Sequence, residues 1–87
     1  MKSIWKAELT VTGEITVRVP KGAKALCVQV QRGKPCVWFV CETTAELEER
    51  KVYIYGTGHP LESPTGNYIG TFQLEGGALV FHAFADF

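Results

Sequence analysis

The sequence predicts an all-β domain: a small seven-stranded antiparallel sandwich or barrel-like roll with one short helical or loop excursion. Three observations carry this. Apolar residues alternate with polar ones at the period of a strand rather than that of a helix. Turn-forming Gly and Pro residues punctuate the chain about every eight to twelve positions. No long helical stripe interrupts them. At 87 residues the chain is the size of one domain, residues 1–87. A core of this size hides only about 60–68% of the unfolded surface.

The elements follow in order. In "IWKAELTV", Trp5, Ala7, Leu9 and Val11 alternate with Lys6, Glu8 and Thr10, which leaves one face wet. Thr12-Gly13-Glu14 turns the chain into a second run, where Ile15, Val17 and Val19 alternate with Thr16 and Arg18. These two runs are expected to form a hairpin. Pro20 to Gly22 ends the second run. The third, "AKALCVQVQR", sets Leu26, Val28 and Val30 on one face and Cys27, Gln29 and Gln31 on the other. Gly33-Lys34-Pro35 leads into "CVWFVCE", apolar on both faces and so suited to the middle of a sheet, a sandwich or a subunit interface. Thr43 to Arg50 is the helical or loop excursion, with Thr44 as a cap and Leu47 as its anchor. The acids around it, Glu42, Glu46, Glu48 and Glu49, read as a solvated face. "KVYIYG" is the fifth run and "YIGTFQL" the sixth. Glu75-Gly76-Gly77 signals a hairpin turn into "ALVFHAFA", again apolar on both faces. Trp5 and Trp38 are expected in the core.

Nine basic and nine acidic residues balance to zero net charge, which argues against a duplex nucleic-acid partner. Lys21, Lys24, Arg32 and Lys34 fall around two turns. They read as solvated turn residues, or else as a small basic rim able to meet a phosphate. No apolar run reaches the roughly 20 residues of a membrane helix, so no membrane partner is expected. The start "MKSIWKAEL" has no apolar signal core. With three cysteines that cannot pair completely, this predicts a reduced, cytoplasmic protein whose thiols pack as small hydrophobes.

Chemistry-bearing residues concentrate in "YGTGHPLESPTGNYIGTF", Tyr55 to Phe72. Metal binding is not expected there or elsewhere. Cys36 and Cys41 are five apart in one strand, which points them to opposite faces, and Cys27, His59 and His82 show no zinc spacing. Catalysis is not expected either. No nucleophile-elbow pattern is present, and Glu62 and Glu75 make no recognisable acid/base pair. No cofactor fingerprint appears: the Walker lysine and the helix after a dinucleotide turn are both missing.

Two readings of Gly56-Thr57-Gly58-His59-Pro60 stand. It is a turn whose glycines supply positive φ, or a ligand loop offering unblocked backbone N–H groups, a hydroxyl and an imidazole. The candidate ligand or partner residues are Gly56, Thr57, Gly58, His59, Tyr68, Gly70, Thr71 and Gln73, with Asn67 beside them. Gly70 sits inside a strand run, where glycine marks a bulge or a close approach. Gln29, Gln31 and Gln73 either read a ligand's edge or simply face solvent. His82, between Phe81 and Ala83, is expected to be a buried, hydrogen-bonded or interface histidine.

Taken in order, "IWKAEL", "VQVQRGKPCVW", "GTGHP" and "YIGTFQLEGGALVFHAF" resemble a family of small phage- and prophage-encoded proteins, a domain of unknown function. The likeness runs from about Ile4 to Phe84, and Thr43 to Arg50 is where members are expected to differ. It implies a phage origin and a place in the bacterial host's cytoplasm. It implies no activity, and it carries over no catalytic residue. The expectation is a non-enzymatic accessory binding protein that counters host defence by sequestering a small nucleotide-like ligand or by blocking a host protein. A minor virion or assembly protein is the alternative, and a small hydrolase ranks last. A homo-oligomer is also expected, because a second copy would hide Val37, Phe39, Leu79 or Phe81.

Overall fold

A computed structural model describes residues 1–10, 13–61 and 66–87. The expectations for Val11, Thr12 and Glu62 lie outside the described residues. Seven strands form: β1 Lys2–Glu8, β2 Gly13–Pro20, β3 Lys24–Gln31, β4 Lys34–Glu42, β5 Leu47–Gly56, β6 Asn67–Leu74 and β7 Leu79–Ala85, with a 3₁₀ turn at Glu75–Gly77. They build two antiparallel sheets, one in the order β1-β4-β3 and one in the order β2-β5-β7-β6. The fold is a small all-β sandwich.

The two runs that are apolar on both faces became interior strands. β4 lies between β1 and β3, and β7 lies between β5 and β6. Their inward residues, Val37, Phe39 and Cys41 on β4 and Phe81, Ala83 and Ala85 on β7, meet across the sandwich with Val17, Val19, Val28, Val52, Ile54, Ile69 and Phe72. Burying a side chain of the size of Phe39 contributes about 1.5–3 kcal/mol. Phe87 closes this core at one end. Its ring meets Phe39 edge-on with centroids 6.0 Å apart, and its carbonyl accepts from the Ala25 N–H at 3.3 Å.

The β1–β2 hairpin does not form. β1 pairs with β4 from Lys2↔Glu42 to Glu8↔Cys36, and β2 pairs with β5 from Gly13↔Ile54 to Pro20↔Leu47. The chain changes sheets between them, so the local turn signal was read correctly as a break and wrongly as a pairing. β3–β4 and β6–β7 are true hairpins.

The Thr43–Arg50 excursion is also shorter than expected. Only residues 43–46 form a turn, and Leu47–Arg50 open β5 opposite Val17–Pro20. A regular ladder of backbone bonds outweighs the weak local helix pattern there. Glu48 remains an acid with work to do: its carboxylate takes the Arg50 guanidinium at 3.0 Å and the Gly22 N–H at 3.4 Å.

Three other expectations change. Val37, Phe39 and Phe81 are covered within the single chain, so they need no second copy; Leu79 alone of the four stays exposed. Trp5 lies on edge strand β1 and is 39% exposed. Trp38 is half-buried on the outer face of β4, where the Lys6 ammonium sits 5.6 Å from its ring centroid and bonds Gln31. A two-layer sandwich covers one face of each sheet, so an outward-facing tryptophan is shielded only by its neighbours' long side chains.

The sheets come together along β3 and β6, and here Gly70 is required. A Cβ at Gly70 would lie 2.9 Å from Val28 Cγ1, and the residue holds φ of +143°. Gly70→Ala therefore meets a stiff neighbour and a strained backbone together. We expect it to lower stability by about 2 kcal/mol, read as a fall in the urea midpoint. Trimming Val28 as well would relieve the clash and leave the backbone strain.

The three thiols differ sharply. Cys36 and Cys41 are buried on opposite faces of β4, and Cys27 is half-exposed. Burial, and then the neighbouring Glu42 charge, push the Cys41 thiol above its ordinary range. Native protein treated with a thiol reagent at neutral pH is expected to modify Cys27 first, and all three residues only after unfolding. Equal labelling rates would contradict the placement of Cys36 and Cys41.

Candidate functional site on the outer face of the four-stranded sheet

β7 alternates strictly. Phe81, Ala83 and Ala85 point to the core, so His82 and Phe84 point outward. On one side β5 sets Tyr53 opposite Phe84 and Tyr55 opposite His82; on the other, β6 sets Tyr68 opposite Phe84 and Thr71 opposite His82. Tyr68 and Thr71 are three apart, which in a regular strand would put them on opposite faces. A bulge between Tyr68 and Gly70 absorbs the odd residue and brings both to the outer face.

Beyond the end of β5 the chain turns at Gly56-Thr57-Gly58-His59. The His59 N–H closes this turn on the Gly56 carbonyl at 3.1 Å, with Gly58 at φ of +86° in the third position. The Thr57 N–H bonds the Val80 carbonyl at 3.2 Å, which anchors the turn to β7. Two of the three N–H groups from Thr57 to His59 are thus spent inside the protein. Of the donors expected to be unblocked on Gly56, Thr57 and Gly58, that of Thr57 is taken. Gly56 also makes room for an imidazole: a Cβ there would lie 2.9 Å from the His59 ring.

These pieces enclose an open cleft of about 430 Å³, lined by Tyr55, Gly56, Thr57, Gly58, His59, Leu61, Tyr68, Thr71, His82 and Phe84. A row of hydrogen bonds runs through it. Thr57 Oγ1 lies 2.7 Å from His82 Nε2, Thr71 Oγ1 lies 2.9 Å from His82 Nδ1, and the Tyr68 hydroxyl lies 2.6 Å from Thr71 Oγ1. Phenols donate better than alkyl hydroxyls and accept less well. The neutral arrangement is therefore Tyr68 O–H to Thr71, Thr71 O–H to Nδ1, and Nε2–H to Thr57. The Thr57 hydroxyl then has the Val80 carbonyl within 3.5 Å. Beside the row, Tyr55 and Tyr68 both meet the Phe84 ring edge-on, with centroids 6.1 and 5.6 Å away.

Of the residues singled out in the sequence, Gly56, Thr57, Gly58, His59, Tyr68 and Thr71 line one cleft. Gly70 and Gln73 do not. Gly70 faces Val28 across the sandwich and acts through the bulge, and Gln73 is an exposed position of β6 opposite Val80. Gln31 belongs to the other sheet, where it accepts from Lys6. Sequence reasoning missed Tyr55, Leu61 and Phe84, and it kept His82 apart from the loop. The signal was present in "VFHAF": once β7 is a central strand, its alternation sends His82 and Phe84 to one face.

Among the described residues no three His, Cys, Asp or Glu side chains gather as metal ligands. Nor does any described helix have the length and apolarity to cross a membrane.

Residues 1–86 match the family model described as Domain of unknown function (DUF7352). The chain belongs to this family. No curated protein and no solved structure matches it. For this DUF7352 chain the site must be read from its own chemistry. Both ring nitrogens of His82 are occupied by hydroxyls, and the described lining residues include no carboxylate. Nitrogen-15 NMR of neutral His82 is expected to show the proton on Nε2, with Nδ1 as the bare acceptor. A dominant Nδ1–H form would reverse the hydrogen-bond direction deduced here.

Proposed function

We propose that this protein is a small non-enzymatic binding module whose ligand sits in the cleft between the Gly56–His59 turn and β6. The observation that carries the reading is the convergence of three aromatic rings with an internally satisfied Thr57–His82–Thr71–Tyr68 row in one open cleft. Small-ligand sites pair an apolar, aromatic lining with a few fixed polar groups in this way, and 430 Å³ falls within their size range. The ligand is a small ring-bearing molecule of the nucleoside or nucleotide kind. The likeness of the ordered phrases to phage proteins supports a role in which a phage withholds such a molecule from its bacterial host. Every residue of the site comes from one chain, so the reading does not depend on a second copy.

The test is a thermal melt against nucleosides and nucleotides. A ligand at 100 times its Kd adds about 2.7 kcal/mol, which for a domain of this size is a rise on the order of 10 °C. An unchanged melting temperature across the whole panel would refute the proposal.

A further inference from the structure

We propose that the cleft grips the uncharged ring of its ligand, a nucleobase-like heterocycle carrying N–H donors, and leaves any phosphate in solvent. This inference rests on the ligand-binding reading above and narrows it.

The first argument is electrostatic. No Lys, Arg, Asp or Glu is among the described residues that line the cleft. A phosphate taken from water needs cations, a helix N-terminus or a nest of backbone N–H groups to replace its hydration. The glycine turn resembles a nest in sequence, but it has committed the Thr57 and His59 N–H groups to carbonyls, which leaves only that of Gly58. Lysines do gather on this molecule, at a different place. Lys2, Lys21 and Lys24 surround a separate hollow beside Val40 and Glu42, reached from the three-stranded sheet.

The second argument is the direction of the hydrogen-bond row. With Tyr68 donating to Thr71, and Thr71 to His82 Nδ1, the oxygens of Tyr68 and Thr71 keep lone pairs but no spare proton. This wall of the cleft is an acceptor edge. It suits a ring that brings N–H groups, and it repels the oxygens of a phosphate. The third argument is shape. Tyr55 and Tyr68 stand at 73° and 61° to the Phe84 ring, so the three enclose a corner of aromatic surface in which a flat ring can stack. His59, exposed and lying over Gly56, borders the same cleft.

The experiment is calorimetric titration of the intact protein with a set of nucleosides, with their 5′-monophosphates and with inorganic phosphate. For any base that binds, the nucleoside and its monophosphate are expected to agree in Kd within about threefold, with phosphate alone giving no heat. Raising salt from about 0.05 M to about 0.5 M is expected to leave the affinity unchanged. A monophosphate that binds more than about tenfold tighter than its nucleoside, or binding that collapses in salt, would overturn the inference while sparing the ligand-binding reading. If neither form binds, both fall. Tyr68→Phe removes the end of the acceptor row from a side chain that is 58% exposed, so the variant is expected to melt as the parent does. It is expected to lose about tenfold in nucleoside affinity. Undiminished binding would overturn the acceptor argument.

Discussion

The close approach of β6 to β3 at Gly70 is the constraint on which both the sandwich and its cleft depend. A side chain there would strike Val28, so only glycine lets the edges of the two sheets meet. The same residue pairs with Ala83 directly after the bulge, whose extra position is Ile69. Were the strand paired without that bulge, Tyr68 and Thr71, three apart, would face opposite sides, and the hydroxyl row would be cut between them. Core closure on one side of the sheet and polar alignment on the other are two outcomes of one backbone irregularity. Bulges re-aim side chains near functional sites for this reason.

The outer face of the four-stranded sheet then divides by chemistry. Toward β2, Lys51 spans to Thr16 at 2.7 Å and Glu14 at 3.1 Å, a solvated cross-strand cluster. Toward β6 the surface is aromatic, hydroxyl and imidazole. The charged part is free to be screened by water and salt and contributes little to stability. The neutral part has its polar groups paired to one another, which lowers the cost of covering it with an apolar ring. His82 owes its position to this arrangement. Flanked by two threonines, its ring is hydrogen-bonded at both nitrogens.

Much of this was legible in the sequence. The seven strands, the central character of β4 and β7, and the role of Gly70 as bulge and close approach all follow from alternation and glycine placement. Six of the eight residues named as ligand candidates line one cleft. Long-range pairing was not legible. Thr12-Gly13 looks the same whether the chain folds back on itself or crosses to another sheet, because a turn signal fixes a break and not a partner. The place of His82 in the cleft was not legible for the same reason, although its hydrogen-bonded character was expected. Its flanking Phe81 and Ala83 make it look buried until one knows that both sides of β7 are paired, and hence which face is the core. The Thr57 bond of the glycine turn goes to the Val80 carbonyl of a distant strand, so no local reading could show that this donor was taken.

The pairing of β1 with β4 and of β2 with β5 bears on how the chain reaches this state. Only β3–β4 and β6–β7 can zip up as hairpins from neighbouring sequence. β1 must wait until Glu42 is available to face Lys2, and β2 until Ile54 is available to face Gly13. Closing such wide loops costs entropy before contacts return it, which places the protein among slow, millisecond-to-second folders. On the ribosome β1 and β2 emerge before β4 and β5, the strands that receive them. The lysines of β1, at positions 2 and 6, then serve a second purpose: they keep an unpaired, alternating strand from finding another chain before β4 arrives.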